Sequence, residues 1–534
     1  MNYPKITLTR MLEQTVERCS DQTALIYFGT RIPYGRLLEH ANRCAAGLQA
    51  LGVRKGDRVA LMMSNCPQFV VSYFGVLKAG GTVTATSSMY TAREAAHQWH
   101  DAGASALIVD RKLHPVAQAA LAEVPGVKHV IVTGSRDYYP SALAKLDKVL
   151  RTGRSSRIRP HASRFMSHTW QDLLQARLPR PVSVSPSDIA CLQYTGGTTG
   201  TSKGAMLTHA NLVTNAYQTE QWLSCGENRP EVMVAALPLF HIYAMTCVMI
   251  CSVFAGGTVI ILPRFELRSA LNVVRKYRPT LFHGVPTMYV AFNNAPNVER
   301  YGFKSLRVCM SGGACLPVEV RQKFEQLTGG RLVEGYGLTE ASPVTHVNPP
   351  DGLAKAGSIG LPIPGTEVRI VDLPTGTREL PLGEVGEIAV RGPQVMKGYW
   401  NKPAETAQVL HDGWLLTGDL ARRDEAGYYY IVDRKKDLII ASGFNVYPRD
   451  VEEVLFEHPQ VKEAAVVGVP DEYRGETVKA FIVLRDGAAA SAEEIISFCR
   501  KRLAAYKVPR QIVFRDSLPK SGVGKYLRRE LRNQ

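Results

Sequence analysis

The chain has 534 residues, 45% hydrophobic and 21% charged, with 45 Gly and 31 Pro in no fixed period. This composition excludes fibrous, collagenous and wholly disordered proteins and calls for several packed units rather than a single core. Lys and Arg outnumber Asp and Glu by 64 to 48, a net charge of +16, which favours anionic partners such as nucleic acid, anionic lipid or phosphate-bearing substrates without bearing on the fold.

At the N-terminus, MNYPKITLTRMLEQTVERC offers neither an apolar h-region nor a small-residue cleavage site, so nothing in it predicts export. The ten cysteines show no CxxC pair and no zinc-like spacing with His, as expected of a reducing cytosol. From residue 6 to about 110, helices (RLLEHANRCAAGLQALG, CPQFVVSYFGVLKAGG) alternate with short apolar strands (DRVALMM, ALIVD), which predicts a parallel sheet. The stretch 135–186 breaks this rhythm. It carries Arg151, Arg154, Arg157, Arg159 and Arg164 with His161, and reads either as a solvated loop or as a patch for an anionic membrane surface. Alternation resumes from 188 to about 361 with DIACLQY, VMVAALP, TVIIL, LFHGV and LRVCMSG.

Within that block, 244–262 carries no charge and has the length of a membrane span, but Gly256 and Gly257 divide it into a core helix and the buried strand TVIIL. EVRIVD, GEIAV and GYYYIVD then predict a compact β subdomain. A last unit opening near Lys436 pairs the helices VEEVLFEHP and AEEIISFCRKRLAA with the strands VKEAAVVGVP and VKAFIVL. The expected fold class is thus α/β, with two parallel-sheet subdomains and a β subdomain in a large N-terminal part and a small α+β unit at the C-terminus.

The strongest local signal is YTGGTTGTSKG at 194–204, read as lying between a strand and the helix LTHANLVTNAYQTEQWL. Gly196, Gly197 and Gly200 let backbone N–H groups approach a ligand; Thr195, Thr198, Thr199, Thr201 and Ser202 add hydroxyls, and Lys203 adds a positive charge. Together they suit a polyphosphate, although the spacing is not that of a Walker A loop. No interleaving of aromatic and basic residues points to nucleic acid.

After this loop come LPLFH (237–241), SGGACLP (311–317), EGYGLTE (334–340), GWLLTGDL (413–420), VDRKKDLIIASGFNVYP (432–448) and LPKSGVGKYLR (518–528). In this order they resemble the adenylate-forming acyl-CoA synthetases along essentially the whole chain, and most of all the bacterial long-chain fatty acid ligases. The resemblance implies a 1–435 adenylation domain and a mobile 436–534 domain. It also implies ATP, Mg²⁺ and coenzyme A as reactants, and a fatty acid passing through acyl-AMP to its thioester. Aryl acids, or a fatty acyl-AMP ligase loading a carrier protein, are the competing activities. The implied setting is cytoplasmic with docking on the inner membrane face, and a homodimer stays open.

By resemblance Glu340, beside Thr339, holds Mg²⁺; Tyr336 and Gly337, with Gly313 and Ala314, face the adenine; and Asp419 and Arg434 hold the ribose. His241 borders the reacting carboxylate, its competing reading an ordinary core histidine. Lys525 stabilises charge at the α-phosphate. Lys436 is the hinge, and Ser442, Gly443, Phe444 and Asn445 form the pantetheine passage. Lys507 and Arg474 are candidates for coenzyme A phosphates, and Met245, Val248, Met249 and Val285 for the acyl pocket. One departure from the pattern is Val523, where many relatives carry Ser or Thr.

Overall fold

The computed structural model describes residues 3–139, 165–176, 178–195, 202–223, 231–441, 444–471, 475–520 and 526–532. Two large sheets carry the N-terminal part. The seven-stranded one runs, edge to edge, through Met166–Thr169, His129–Thr133, Ala104–Asp110, Arg58–Met62, Thr82–Thr86, Ile189–Thr195 and Lys203–Thr208. All neighbours are parallel except the last pair. Its inner strands Arg58–Met62, Ala104–Asp110 and Ile189–Thr195 are almost wholly buried, as expected of a parallel sheet covered on both faces, whereas the edge strand Met166–Thr169 is largely exposed.

The nine-stranded sheet has a parallel centre formed by Thr23–Tyr27, Thr258–Ile261, Val232–Ala235, Leu281–Gly284, Val308–Ser311 and Arg331–Gly337. Its edges, Thr30–Pro33 on one side and Val344–Val347 with Leu361–Pro362 on the other, are antiparallel. The N-terminal hairpin therefore belongs to the sheet of the second block, not the first. Its two-residue turn places Phe28 at φ 47° and Gly29 at φ 90°, the paired positive φ values of a type I′ turn, here without the usual Asn-Gly signal.

The segment 244–262 is a core helix and strand, as its glycines indicate. Ile242–Ala244 and Cys251–Ala255 flank a π-helical stretch, Met245–Ile250, and Gly256 at φ 72° ends the helix before Thr258–Ile261. Among the described residues no helix is long and apolar enough to cross a membrane. The basic stretch 151–164 lies outside the described residues. Its flanks rejoin the first sheet through Met166–Thr169 and the short helix Trp170–Leu173.

The β subdomain orders Glu367–Val371, Gly386–Arg391, Trp414–Arg423 and Leu410–His411, with Tyr429–Arg434 also on Trp414–Arg423. The C-terminal sheet orders Phe444–Val446, Ile439–Ala441, Gly475–Leu484 and Val461–Asp471, with Gln511–Phe514 added in parallel. Helices Pro448–Phe456 and Ala492–Arg500 bury Val451, Leu455, Ile495 and Cys499 against it, a separate core from that of the N-terminal sheets.

Candidate active site

The Gly/Thr loop is the tip of a hairpin, not a strand-to-helix turn as the sequence reading had it. Residues 203–208 form a strand antiparallel to Ile189–Thr195, with Thr195 opposite Lys203, and the helix starts only at His209. Thr208 and Asn211 cap that helix reciprocally, at 2.9 and 3.1 Å. The 195–203 segment therefore does not lead directly into a helix N-terminus. Thr195, Ser202 and Lys203 are half-buried at the two feet of the hairpin, while Gly196, Gly197, Thr198, Thr199, Gly200 and Thr201 lie outside the described residues.

The second foot is zipped to another segment: Met206 N–H donates to Gly398 O and Trp400 N–H to Gly204 O, both at 2.8 Å. This seats Tyr399 between two charged groups. Its hydroxyl donates to Glu340 Oε1 at 2.8 Å, and the Lys203 ammonium lies 5.0 Å from its ring centroid. Glu340 stands in the short turn Thr339–Ala341, fixed by Met396 N–H donating to its carbonyl at 2.7 Å. One carboxylate oxygen is thereby oriented and the other is left for a ligand. A single oriented carboxylate beside a phosphate loop fits Mg²⁺, which takes one or two carboxylates and completes its shell with phosphate and water. A cleft of about 290 Å³ opens here, lined by Leu338, Glu340, Tyr399, Thr417, Gly418 and Lys435 among others.

Tyr336 ends the strand Arg331–Gly337, and its hydroxyl donates to Asp419 Oδ2 at 2.6 Å. Arg434, opposite Asp419 across the Trp414–Arg423 and Tyr429–Arg434 ladder, reaches Oδ1 with Nε at 2.9 Å. Burial and the Asp419 charge both push the Tyr336 phenol well up, so it stays a donor. Gly337 answers a close approach: a Cβ there would meet Pro343 O. Gly313 and Ala314 are exposed on the rim of the same face.

His241 caps the helix at Ile242, where its Nδ1 accepts from Tyr243 N–H at 3.2 Å. Asn65 of the first sheet's unit holds the preceding LPLFH segment. It donates to Ala235, Leu237 and Leu262 carbonyls at 3.2, 2.8 and 3.0 Å and accepts from Leu239 N–H at 2.7 Å. Met245, Val248, Met249 and Val285 are all buried between this helix and the second sheet.

Lys436 is half-buried, and that burial, with Arg434 adding to it, lowers its ammonium to about 8. Around it lies a network that sequence reasoning missed. Arg528 Nη2 meets Glu452 at 2.8 Å, and Nη1 lies 3.3 Å from Asp437 and 3.6 Å from Asp433. Arg532 donates to Asp437 at 3.0 Å and to Lys436 O at 3.3 Å. Arg449 N–H donates to Asp433 Oδ2 at 2.9 Å and its guanidinium to Ile431 O. Burial raises Asp433 to about 6, against the opposing Arg528, and raises Glu334 to about 7, against the opposing Arg449. The only sequence signal for Arg528 was its place in the basic run three residues after Lys525.

Lys525, Gly443, Ser442 and Arg474 lie outside the described residues. Lys507 is held by Asp450 at 2.5 Å rather than standing free, and Phe444 and Asn445 are exposed, with Phe444 stacked on Tyr506 at 4.8 Å. Among the described residues, no group of three or more His, Cys, Asp or Glu could hold a metal ion.

A two-sheet body with a separate small domain, an oriented carboxylate beside a Gly/Thr hairpin, and a Tyr–Asp–Arg triad define a nucleotide-binding enzyme. The chain belongs to the AMP-binding enzyme family: it matches that family over residues 12–400 and the AMP-binding enzyme C-terminal domain over 450–525. It is 47% identical to a long-chain-fatty-acid–CoA ligase of Bacillus subtilis, covering 99% of this chain and 94% of the relative. A feruloyl-CoA synthase of Amycolatopsis is 38% identical, with 96% of each chain covered. Among solved structures, ATP-bound MatB from Rhodopseudomonas palustris superposes with a TM-score of 0.86 at 31% identity, covering 99% of both chains.

Proposed function

We propose that the chain is an AMP-forming fatty acid–CoA ligase, with 1–435 and 436–534 as its two working units. The Tyr336–Asp419–Arg434 triad and the Glu340–Tyr399–Lys203 row support this reading, because groups suited to accept ribose hydroxyls and to face phosphates would then come from Tyr336 and Glu340, four residues apart on one segment. The acid is the part argued from likeness, through the 47% identity to the Bacillus ligase.

Asp419 accepts from the ribose hydroxyls and is oriented by Arg434. Tyr336 offers its ring face to adenine, with Gly313, Ala314 and Gly337 allowing close approach. The 195–203 hairpin and Lys203 bind the β- and γ-phosphates, and Glu340 would hold a Mg²⁺ ion, which would offset phosphate charge. The fatty carboxylate enters past His241 and attacks the α-phosphorus; the α,β-bridging P–O bond breaks and pyrophosphate leaves. Lys525 stabilises the negative charge at the α-phosphate. After the small domain turns about Lys436, Gly443 lets the pantetheine thiol reach the acyl carbon; the C–S bond forms and AMP departs. Lys507 would exchange Asp450 for a coenzyme A phosphate.

The test is AMP release with coenzyme A across acetate, benzoate, octanoate and palmitate. Palmitate and octanoate should lead; benzoate leading would instead favour the aryl reading, which the 38% identical feruloyl-CoA synthase supports. AMP release without coenzyme A consumption would favour a carrier-loading enzyme. The five arginines from Arg151 to Arg164 are proposed to dock on anionic lipid: cosedimentation with anionic vesicles should weaken when all five become Gln, and equal binding would make them a solvated loop. Light scattering decides whether the protein is a homodimer.

A further inference from the structure

One buried polar side chain on the acyl side has no role in the mechanism above. His283 lies in the strand Leu281–Gly284, is 2% exposed, and neither ring nitrogen has a hydrogen-bond partner. Side chains alternate along a strand. Phe282 and Gly284 face Tyr289, its ring centroid 6.1 Å from that of Phe282 and its ring 3.1 Å from a Cβ built on Gly284. His283 faces the other way, edge-on to Tyr243 at 5.8 Å. Met310 is its register partner on the next strand, and a Cβ on Gly312 would meet Tyr243 at 3.1 Å. This face is the one covered by the helix from Ile242, with its π-helical stretch Met245–Ile250, a deviation often found at functional sites.

Burial lowers the imidazole to about 4, so at neutral pH it is uncharged, with one N–H donor and one bare acceptor nitrogen. Buried polar groups are nearly always paired, by protein, water or ligand. An unpartnered imidazole in an apolar slot is poorly suited to a plain hydrocarbon chain and well suited to a hydroxyl, which can both donate and accept.

We propose that His283 is a specificity-determining residue that selects acids bearing a hydroxyl on the acyl body, by hydrogen-bonding that oxygen between the 242–255 helix and the second sheet. The proposal rests on the reading of that slot as the acyl pocket. The hydroxyl could belong to an aliphatic hydroxy acid or to a phenolic acid, and the two sources are separated by the substrates used.

The experiment measures kcat/KM for AMP release with decanoate, 3-hydroxydecanoate, 10-hydroxydecanoate, cinnamate and 4-hydroxycinnamate, for wild type and His283→Leu. At least one hydroxylated acid should exceed its unsubstituted partner by about tenfold in wild type, and the aliphatic or aromatic pair that does so identifies the source. His283→Leu should erase that ratio while raising activity on the unsubstituted acid. No hydroxyl preference in wild type, or a preference that survives in His283→Leu, overturns the proposal. No turnover of any of these acids by wild type would instead sink the acyl-ligase reading itself.

A second measurement needs only wild type: ¹⁵N spectra of the histidine ring with acyl-sulfamoyl adenosines. The His283 resonances should move with the preferred hydroxyacyl analogue and not with its unsubstituted counterpart; equal movement with both overturns the proposal.

Discussion

The nucleotide side and the acyl side of the cleft are built on opposite plans. On the proposed nucleotide side the titratable side chains are paired with one another: Asp419 holds Tyr336 and Arg434, and Glu340 holds Tyr399. On the proposed acyl side a helix and a sheet close over mostly apolar side chains, and buried polar groups among them, His283 with Ser252 and Ser311, have no hydrogen-bond partner. The first plan suits a ligand that is the same in every cycle, because paired donors and acceptors are preorganised and need not reorient. The second suits a variable ligand, because unpartnered polar groups such as the His283 imidazole are left for the ligand to satisfy.

Variants on the two sides should therefore separate rate from choice. Lys525→Ala should have the largest effect, lowering acyl-adenylate formation about 10³-fold while leaving the palmitate-to-octanoate ratio unchanged. Thioester formation from supplied acyl-AMP should largely persist; equal loss in both steps would remove Lys525 from the nucleotide side. Asp419→Ala should cost about 10² in kcat/KM for ATP, since it strands a buried phenol and a guanidinium, again with no change in acid preference. A shift in that preference would blur the contrast between the two sides.

The third prediction concerns pH. Burial lowers His209, His283 and His346 to about 4, 4 and 3. Below the ordinary histidine value near 6.5 the unfolded chain takes up protons that the folded protein refuses, so stability falls as pH drops from about 7 towards 5. Each such histidine contributes a limiting slope of about 1.4 kcal/mol per pH unit. Calorimetry in buffers of different ionisation enthalpy at pH 5.5 should show these three contributing close to three protons bound on unfolding, with one fewer overall in His283→Leu. Identical proton uptake by variant and wild type would mean that the His283 imidazole is not held neutral. Tyr399→Phe should be mildest. Losing one hydrogen bond to a carboxylate costs about 1–2 kcal/mol, read as a several-fold higher Mg²⁺ requirement at unchanged acid preference.

Much of this was legible in the sequence because local signals agreed. Gly-terminated apolar periods located several helices and the most apolar strands of both sheets, Arg58–Met62, Ala104–Asp110, Ile189–Thr195, Val232–Ala235, Thr258–Ile261, Leu281–Gly284 and Val308–Ser311, while more polar strands such as Thr82–Thr86 and Met166–Thr169 gave no such signal. The Gly/Thr loop's context was misread because KGAML continues without a break into LTHANL: nothing local distinguishes a strand of six residues from the first turns of a helix, and the pairing of Thr195 with Lys203 decides it. The hairpin at Phe28 and Gly29 lacked its usual turn residues, and its home in the second sheet depends on pairing with Thr258–Ile261, far along the chain. Tyr399, Arg528 and His283 were invisible for the same reason: their significance lies in partners 59, 76 and 40 positions away, or in having none.

The Asp419–Arg434 rung lies two residues before Lys436, at most about 7 Å of extended chain. On the proposed reading, with Lys436 as pivot, the sugar would be gripped at the axle while the loops of the small domain travelled at the rim. Those loops would sweep wide arcs while the nucleotide scarcely shifted, so that one stationary adenylate would be presented in turn to a lysine and to a thiol.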